Sequence, residues 1–101
     1  GKRIGISGDT RPSAKLSKFF KSCDVLVFDS TYSDQHAKNA VENKHSTSRE
    51  AGKLARKARA KKLVLTHFSA RYRTVSELVK EARSEFQNTA AASDGLVYAV
   101  S

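Results

Sequence analysis

Val25-Leu26-Val27-Phe28 is an apolar run without alternation, and its reading decides the fold. A strand wet on one face alternates apolar with polar residues, whereas a strand covered on both faces need not, so this run reads as a buried strand. Working outward, Pro12 and Ser13 open a helix in which Leu16, Phe19, Phe20 and Cys23 fall at i, i+3, i+4 and i+7 and make one apolar stripe. Arg3-Ile4-Gly5-Ile6-Ser7 is short, β-branched and followed by a turn at Gly8-Asp9, which makes it a strand. Strand, helix, strand is a βαβ unit.

The alternation continues downstream. Ser33 reads as an N-cap ahead of a weaker helical stripe, Ala37, Ala40 and Val41, that ends near Asn43. Thr47-Ser48-Arg49-Glu50 has the Thr-x-x-Glu form in which each end satisfies the other's free backbone N–H, so a helix starts there with Ala51, Leu54, Ala55 and Ala58 inward. Its other face carries Arg49, Lys53, Arg56 and Lys57. Leu63-Val64-Leu65-Thr66 is a second buried strand. Thr74-Val75-Ser76-Glu77 repeats the capping pattern ahead of a helix with Val75, Leu78, Val79, Ala82 and Phe86 in register. Leu96-Val97-Tyr98-Ala99-Val100 supplies a last strand, and 88–95 reads as a longer loop. The expectation is an alternating α/β layer structure.

With 101 residues, 39% hydrophobic and 29% charged, the chain has the size of one small domain with a single core. No apolar run is long enough to span a bilayer, and no membrane partner is expected. The lone cysteine, Cys23, excludes an internal disulfide framework and any Cys-rich zinc module, which fits a reducing, cytoplasmic setting. Nineteen Lys and Arg against ten Asp and Glu leave a formal charge of +9, which makes nucleic acid the leading partner class. A methionine-free sequence that begins in a strand is expected to be a piece of a longer polypeptide whose missing part lies upstream, with no export leader in view.

In open α/β sheets ligands collect beyond the carboxyl ends of the strands, and those positions hold Asp9, Asp29 and His67. Carboxylate and imidazole suit zinc and related divalent ions, although Asp9 also reads as a turn residue and Asp29-Ser30-Thr31 as an Asx turn. His45, in Lys44-His45-Ser46-Thr47, stands at the mouth of a helix, where anions are favoured. Imidazoles change charge near neutral pH, so His45 suits a proton donor. His36 falls inside a helical pattern with no such setting. Spacing alone leaves the reaction type open.

Three segments follow in order along the chain: Ser7-Gly8-Asp9-Thr10-Arg11-Pro12, then His45-Ser46-Thr47 with Glu50-Ala51, then Leu65-Thr66-His67-Phe68-Ser69-Ala70-Arg71-Tyr72. Glu81-Ala82, Phe86 and Asp94 continue the pattern. Over essentially its whole length the chain resembles the C-terminal part of ribonuclease Z, the tRNA 3′-processing endonuclease family of the metallo-β-lactamase superfamily. The resemblance implies an α/β fold, the C-terminal half of an αββα sandwich with a mixed sheet and helices on its outer face. Residues 1–101 are then a single partial domain. It also implies a zinc-dependent endoribonuclease that removes the 3′ trailer from precursor tRNA, working as a cytoplasmic homodimer with two zinc ions per complete site.

Residue by residue, the resemblance implies that Asp9 bridges the two zinc ions and His67 is a terminal ligand of one. His45 becomes the proton donor to the leaving 3′ oxygen, or a group that stabilises charge on the cleaved phosphate. The family orients that histidine with the glutamate of a His-Glu-Ala-Thr segment. Here the stretch reads Phe28-Asp29-Ser30-Thr31, and the carboxylate of Asp29, one methylene shorter, needs a closer backbone approach or a bridging water to reach His45. Ser69, Arg71 and Tyr72 resemble the phosphate-contacting segment, a role a guanidinium fork suits, and Thr10 and Arg11 count with them as substrate contacts. The family's main ligand cluster, His-x-His-x-Asp-His and one further histidine, belongs upstream and is absent from this sequence. The isolated chain is therefore expected to be inactive, to bind metal poorly and to expose an apolar face. The alternatives are a noncatalytic basic RNA-binding module and a general metal-dependent phosphodiesterase of the same superfamily.

Overall fold

Both apolar runs become central strands. In the computed structural model, which describes residues 3–7, 11–66, 68–69, 72 and 75–92, β2 (Val25–Asp29) and β3 (Lys62–Thr66) pair in parallel, with Leu26 opposite Leu63 and Phe28 opposite Leu65. β1 (Ile4–Ile6) joins the other edge of β2, and β4 (Thr89–Ala91) the other edge of β3. The sheet order is β1-β2-β3-β4, all parallel. Parallel neighbours need crossovers, and helices supply them. α1 (Ala14–Phe19) links β1 to β2. A 3₁₀ turn at Asp34–His36, α2 (Ala37–Glu42) and α3 (Ser48–Ala58) link β2 to β3, and α4 (Ser76–Arg83) links β3 to β4. Among the described residues no antiparallel pairing occurs, so the mixed character expected of the sheet is not expressed in these strands; the expected strand Leu96–Val100 lies outside the described residues.

One face of the sheet carries the core. Leu26, Phe28, Leu63 and Leu65 have no exposed surface and meet Phe20, Cys23, Leu54, Ala82 and the alanines of α3. Each large side chain buried this way contributes on the order of 1.5–3 kcal/mol. Apart from Leu54 the buried residues of α3 are small, which lets the helix lie close to its neighbours: a Cβ on Gly52 would stand 2.6 Å from the Ala82 carbonyl oxygen. Gly5 is needed for a similar reason, since the Phe20 ring lies 2.5 Å from where its Cβ would be. Because Gly5 faces Phe20, alternation turns Ile4 and Ile6 to the opposite face, which no described helix covers, and they are 52% and 70% exposed.

Several expectations change, among them Ser33 as the N-cap of α2, which is His36, and Val41 as an inward residue, which is 61% exposed. Phe19 belongs to the predicted stripe yet is 74% exposed. α1 stops at Phe19, so Phe20 and Cys23 reach the core from the turn that follows and the helical period no longer carries Phe19 inward. The segment read as a loop from 88 to 95 contains β4, whose alanines give no periodic signal; the order comes from pairing with β3 and from burial of Thr89. The last helix begins at Ser76 with Val75 in the N-cap position and no side-chain cap, while the expected cap, Thr74, lies outside the described residues. The capping box of α3 is present as read, with Glu50 N–H donating to Thr47 Oγ1 at 3.1 Å and Thr47 N–H to Glu50 Oε1 at 2.9 Å.

Candidate active site

Asp29 is the last residue of β2, and its carboxylate is fully buried. Burial of a charge is tolerable only when its acceptor sites are filled. Here Oδ1 accepts from the Thr31 backbone N–H at 2.9 Å and from the Thr31 hydroxyl, while Oδ2 accepts from Ser46 N–H at 3.2 Å. The Thr31 bonds are the Asx turn anticipated from the sequence. Oδ2 also lies 2.9 Å from His45 Nδ1.

His45 is delivered by the end of α2. Lys44 adopts the left-handed conformation with φ 57°, and its N–H donates to Val41 O while that of His45 donates to Ala40 O. These two bonds are the Schellman pattern, which closes a helix and throws the chain sideways. The position is one that glycine usually fills, so lysine there gives no sequence signal. The segment then runs beside the residues after β2: Tyr32 and Thr47 form a parallel bridge, with Ser48 N–H donating to Tyr32 O at 3.0 Å. That stitching supplies the closer backbone approach that the short aspartate needs, and the carboxylate touches the imidazole directly.

A carboxylate only accepts, so Nδ1 of His45 carries the proton of this bond and Nε2 is left for a reacting group. The imidazole is 26% exposed against 0% for the Asp29 side chain, the arrangement of an oriented group at a rim backed by a buried orienting group. An imidazole oriented through Nδ1, with Nε2 directed outward, is the geometry that general acid–base chemistry requires.

The other expected residues divide. Ser69 N–H donates to Thr31 O at 2.9 Å, which brings the segment after β3 beside the Asp29 loop. Tyr72 reaches back to the 3₁₀ turn: its hydroxyl lies 2.7 Å from His36 Nδ1, accepts from Ser33 N–H at 2.8 Å and donates to Ser33 Oγ at 3.0 Å. His36, passed over in the sequence, is thus a partner of that segment, a contact across the chain that no local pattern announces. Arg11 sends Nη1 to Glu50 Oε1 and to the His45 carbonyl, and Nη2 to Glu50 Oε2. Asp9, Thr10, His67 and Arg71 lie outside the described residues. Among the described residues no group of three or more His, Cys, Asp or Glu side chains could hold a metal ion, so these residues alone do not make a metal site. The Ser30 hydroxyl, fully buried beside Asp29, has no hydrogen-bond partner among them.

Residues 1–68 match the family described as "Beta-lactamase superfamily domain". The chain is 48% identical over 94 residues to ribonuclease Z of Nitrosopumilus maritimus, an alignment that covers 93% of this chain and 31% of that protein. It therefore spans about a third of the length of such relatives. Among solved structures, human tRNase Z, short form, superposes on 100% of this chain and 34% of its own at a TM-score of 0.78 and 32% identity. The metallo-β-lactamase fold protein YhfI of Bacillus subtilis superposes on 94% of this chain and 39% of its own at a TM-score of 0.82 and 29% identity. The strands and helices that carry Asp29 and His45 are thus those of a metallo-β-lactamase fold, and the chain belongs to the β-lactamase superfamily, with ribonuclease Z among its sequence relatives.

Proposed function

We propose that this chain is the C-terminal part of a zinc-dependent endoribonuclease that removes the 3′ trailer from precursor tRNA, active only together with an upstream half. The observation that carries the reading is the contact of 2.9 Å between the buried Asp29 carboxylate and the rim imidazole of His45, in a chain whose relatives are named ribonuclease Z. In this reading His45 gives a proton from Nε2 to the 3′ oxygen that leaves when the phosphodiester breaks, and Asp29 orients the ring and balances its positive charge. Ser69, Arg71 and Thr10 contact phosphate, while Tyr72 ties the segment after β3 to Ser33 and His36. Asp9 and His67 are this chain's donors toward two zinc ions, whose remaining ligands come from upstream. The uncovered face with Ile4 and Ile6 supports the need for that half. Homodimerisation and a cytoplasmic setting follow from the same resemblance, and a charge of +9 suits an RNA substrate.

The test is trailer cleavage by the polypeptide that carries this chain with its upstream half. Wild type is expected to yield trimmed tRNA and His45→Ala to lose about 10²–10⁴ in rate, the usual worth of a positioned acid. An unchanged rate for His45→Ala removes the assigned donor. RNA binding without cleavage by wild type would favour the noncatalytic module instead.

A further inference from the structure

Arg11 was expected at the substrate, but its guanidinium faces the protein. Nη1 donates to Glu50 Oε1 at 2.7 Å and to the His45 carbonyl oxygen at 2.9 Å, and Nη2 donates to Glu50 Oε2 at 2.7 Å. Glu50 Oε1 also accepts from Thr47 N–H at 2.9 Å, so one carboxylate both caps α3 and holds the arginine. The two side chains are about two-thirds covered, with 33% and 29% of their surfaces exposed. A two-point guanidinium–carboxylate pair fixes orientation as well as distance.

His45 is therefore pinned on three sides. Its N–H is held by Ala40 O, its carbonyl by Arg11 and its Nδ1 by Asp29. Asp29 sets the rotation of the ring, while the other two contacts set where the ring starts from. A group that must meet a leaving oxygen within hydrogen-bond reach is sensitive to its origin, and displacement by about 1 Å can cost about 10²-fold in rate.

We propose that Arg11, acting with Glu50, is a positioning residue for His45. The inference rests on the proton-donor reading of His45 and adds that the arginine of the segment after β1 serves the imidazole and not the RNA.

The experiment uses the same complete polypeptide with Arg11→Met, Glu50→Gln, the double variant and Arg11→Lys. The expected result is a kcat lower by about 10²-fold for each single variant at a temperature where both are folded, with KM for precursor tRNA nearly unchanged. The double variant should be no worse than the worse single one, because both break one clamp. Lysine should rescue little, since it lacks the fork. The dependence of RNA affinity on salt should keep its slope. A raised KM with a slope shallower by about 0.7–0.9 would mean that Arg11 grips a phosphate, and the proposal falls. Losses that multiply in the double variant, or a kcat that returns to wild type under folded conditions, overturn it too. If wild type cleaves no precursor tRNA, the functional reading fails by itself, and hydrogen exchange still decides the clamp. The Thr47 amide should exchange at least about tenfold faster in Arg11→Met, and an unchanged rate refutes the coupling.

Discussion

Removing the carboxylate of Asp29 separates its structural from its chemical role. Among the described residues four donors point at it: the N–H and hydroxyl of Thr31, the N–H of Ser46 and Nδ1 of His45. In Asp29→Ala two of them recover, because the Thr31 hydroxyl can rotate and the imidazole, 26% exposed, can take water. The backbone N–H groups of Thr31 and Ser46 cannot, since those residues are 9% and 0% exposed. Each buried donor left without an acceptor costs about 1–3 kcal/mol, so the variant should lose about 2–6 kcal/mol. Asp29→Asn is gentler in shape and harsher in chemistry. Its Oδ1 keeps both Thr31 donors, while its NH₂ group, set where Oδ2 was, faces the Ser46 N–H and obliges Nδ1 of His45 to accept. The imidazole then loses the partner that orients it, and under the proposed function trailer cleavage by the polypeptide that carries this chain with its upstream half should fall by about 10²–10⁴. Urea unfolding reads the first effect and single-turnover cleavage of precursor tRNA the second. A cleavage rate for Asp29→Asn within about threefold of wild type, or a loss of under about 1 kcal/mol for Asp29→Ala, would refute the reasoning.

Other outcomes follow from single distances and angles. Gly52→Ala places a methyl 2.6 Å from a backbone oxygen of α4, which cannot swing aside as a side chain can, and should cost about 1–3 kcal/mol in urea unfolding; an unchanged midpoint would disprove the close approach. Lys44→Gly removes the penalty on a side chain at φ 57° and should stabilise by up to about 1 kcal/mol, partly offset by the looser unfolded chain, and a destabilised variant would count against the left-handed closure of α2. Burial pushes the Cys23 thiol up from its ordinary pKa. The fold therefore holds the proton more tightly than the unfolded chain does, so this contribution to stability is complete below the ordinary thiol value of about 8.5 and is lost as pH rises through the raised one. Alkylation of the native protein at neutral pH should be slow, and rapid labelling of Cys23 would contradict its burial.

What was legible in the sequence is what depends on neighbours along the chain. The unbroken apolar runs announced β2 and β3, and the Thr47-x-x-Glu50 pair announced the start of α3. Both rest on contacts within a few residues or on burial of nearly every side chain in a run. β4 was hidden because Thr89-Ala90-Ala91 has little strand preference of its own and is ordered by its partner strand. Phe19 misled because a stripe extends only as far as its helix, and nothing local shows that α1 stops there. The site divides in the same way. The motifs singled out Asp29 and His45, yet the clasp of Tyr72 by Ser33 and His36, and that of Arg11 by Glu50, join residues far apart in sequence whose side chains carry no pattern until the chain is folded.

The shorter carboxylate at position 29 shows how such long-range geometry decides local chemistry. An aspartate at a strand end prefers to fold back on the backbone two residues ahead, and Thr31 takes one of its oxygens in that way. Only one oxygen then remains to reach across to the imidazole, and a side chain this short reaches no further than an adjacent strand. The bridge between Tyr32 and Thr47 makes the two segments adjacent, at the spacing of about 4.8 Å that a ladder imposes. The Schellman closure of α2 sets where the second segment begins. A longer acid could reach the imidazole from a looser loop, whereas aspartate requires the backbone to come to it. The carboxylate that the bridge brings into reach is itself fully buried, and from that fixed position its bond to His45 holds the ring to one orientation.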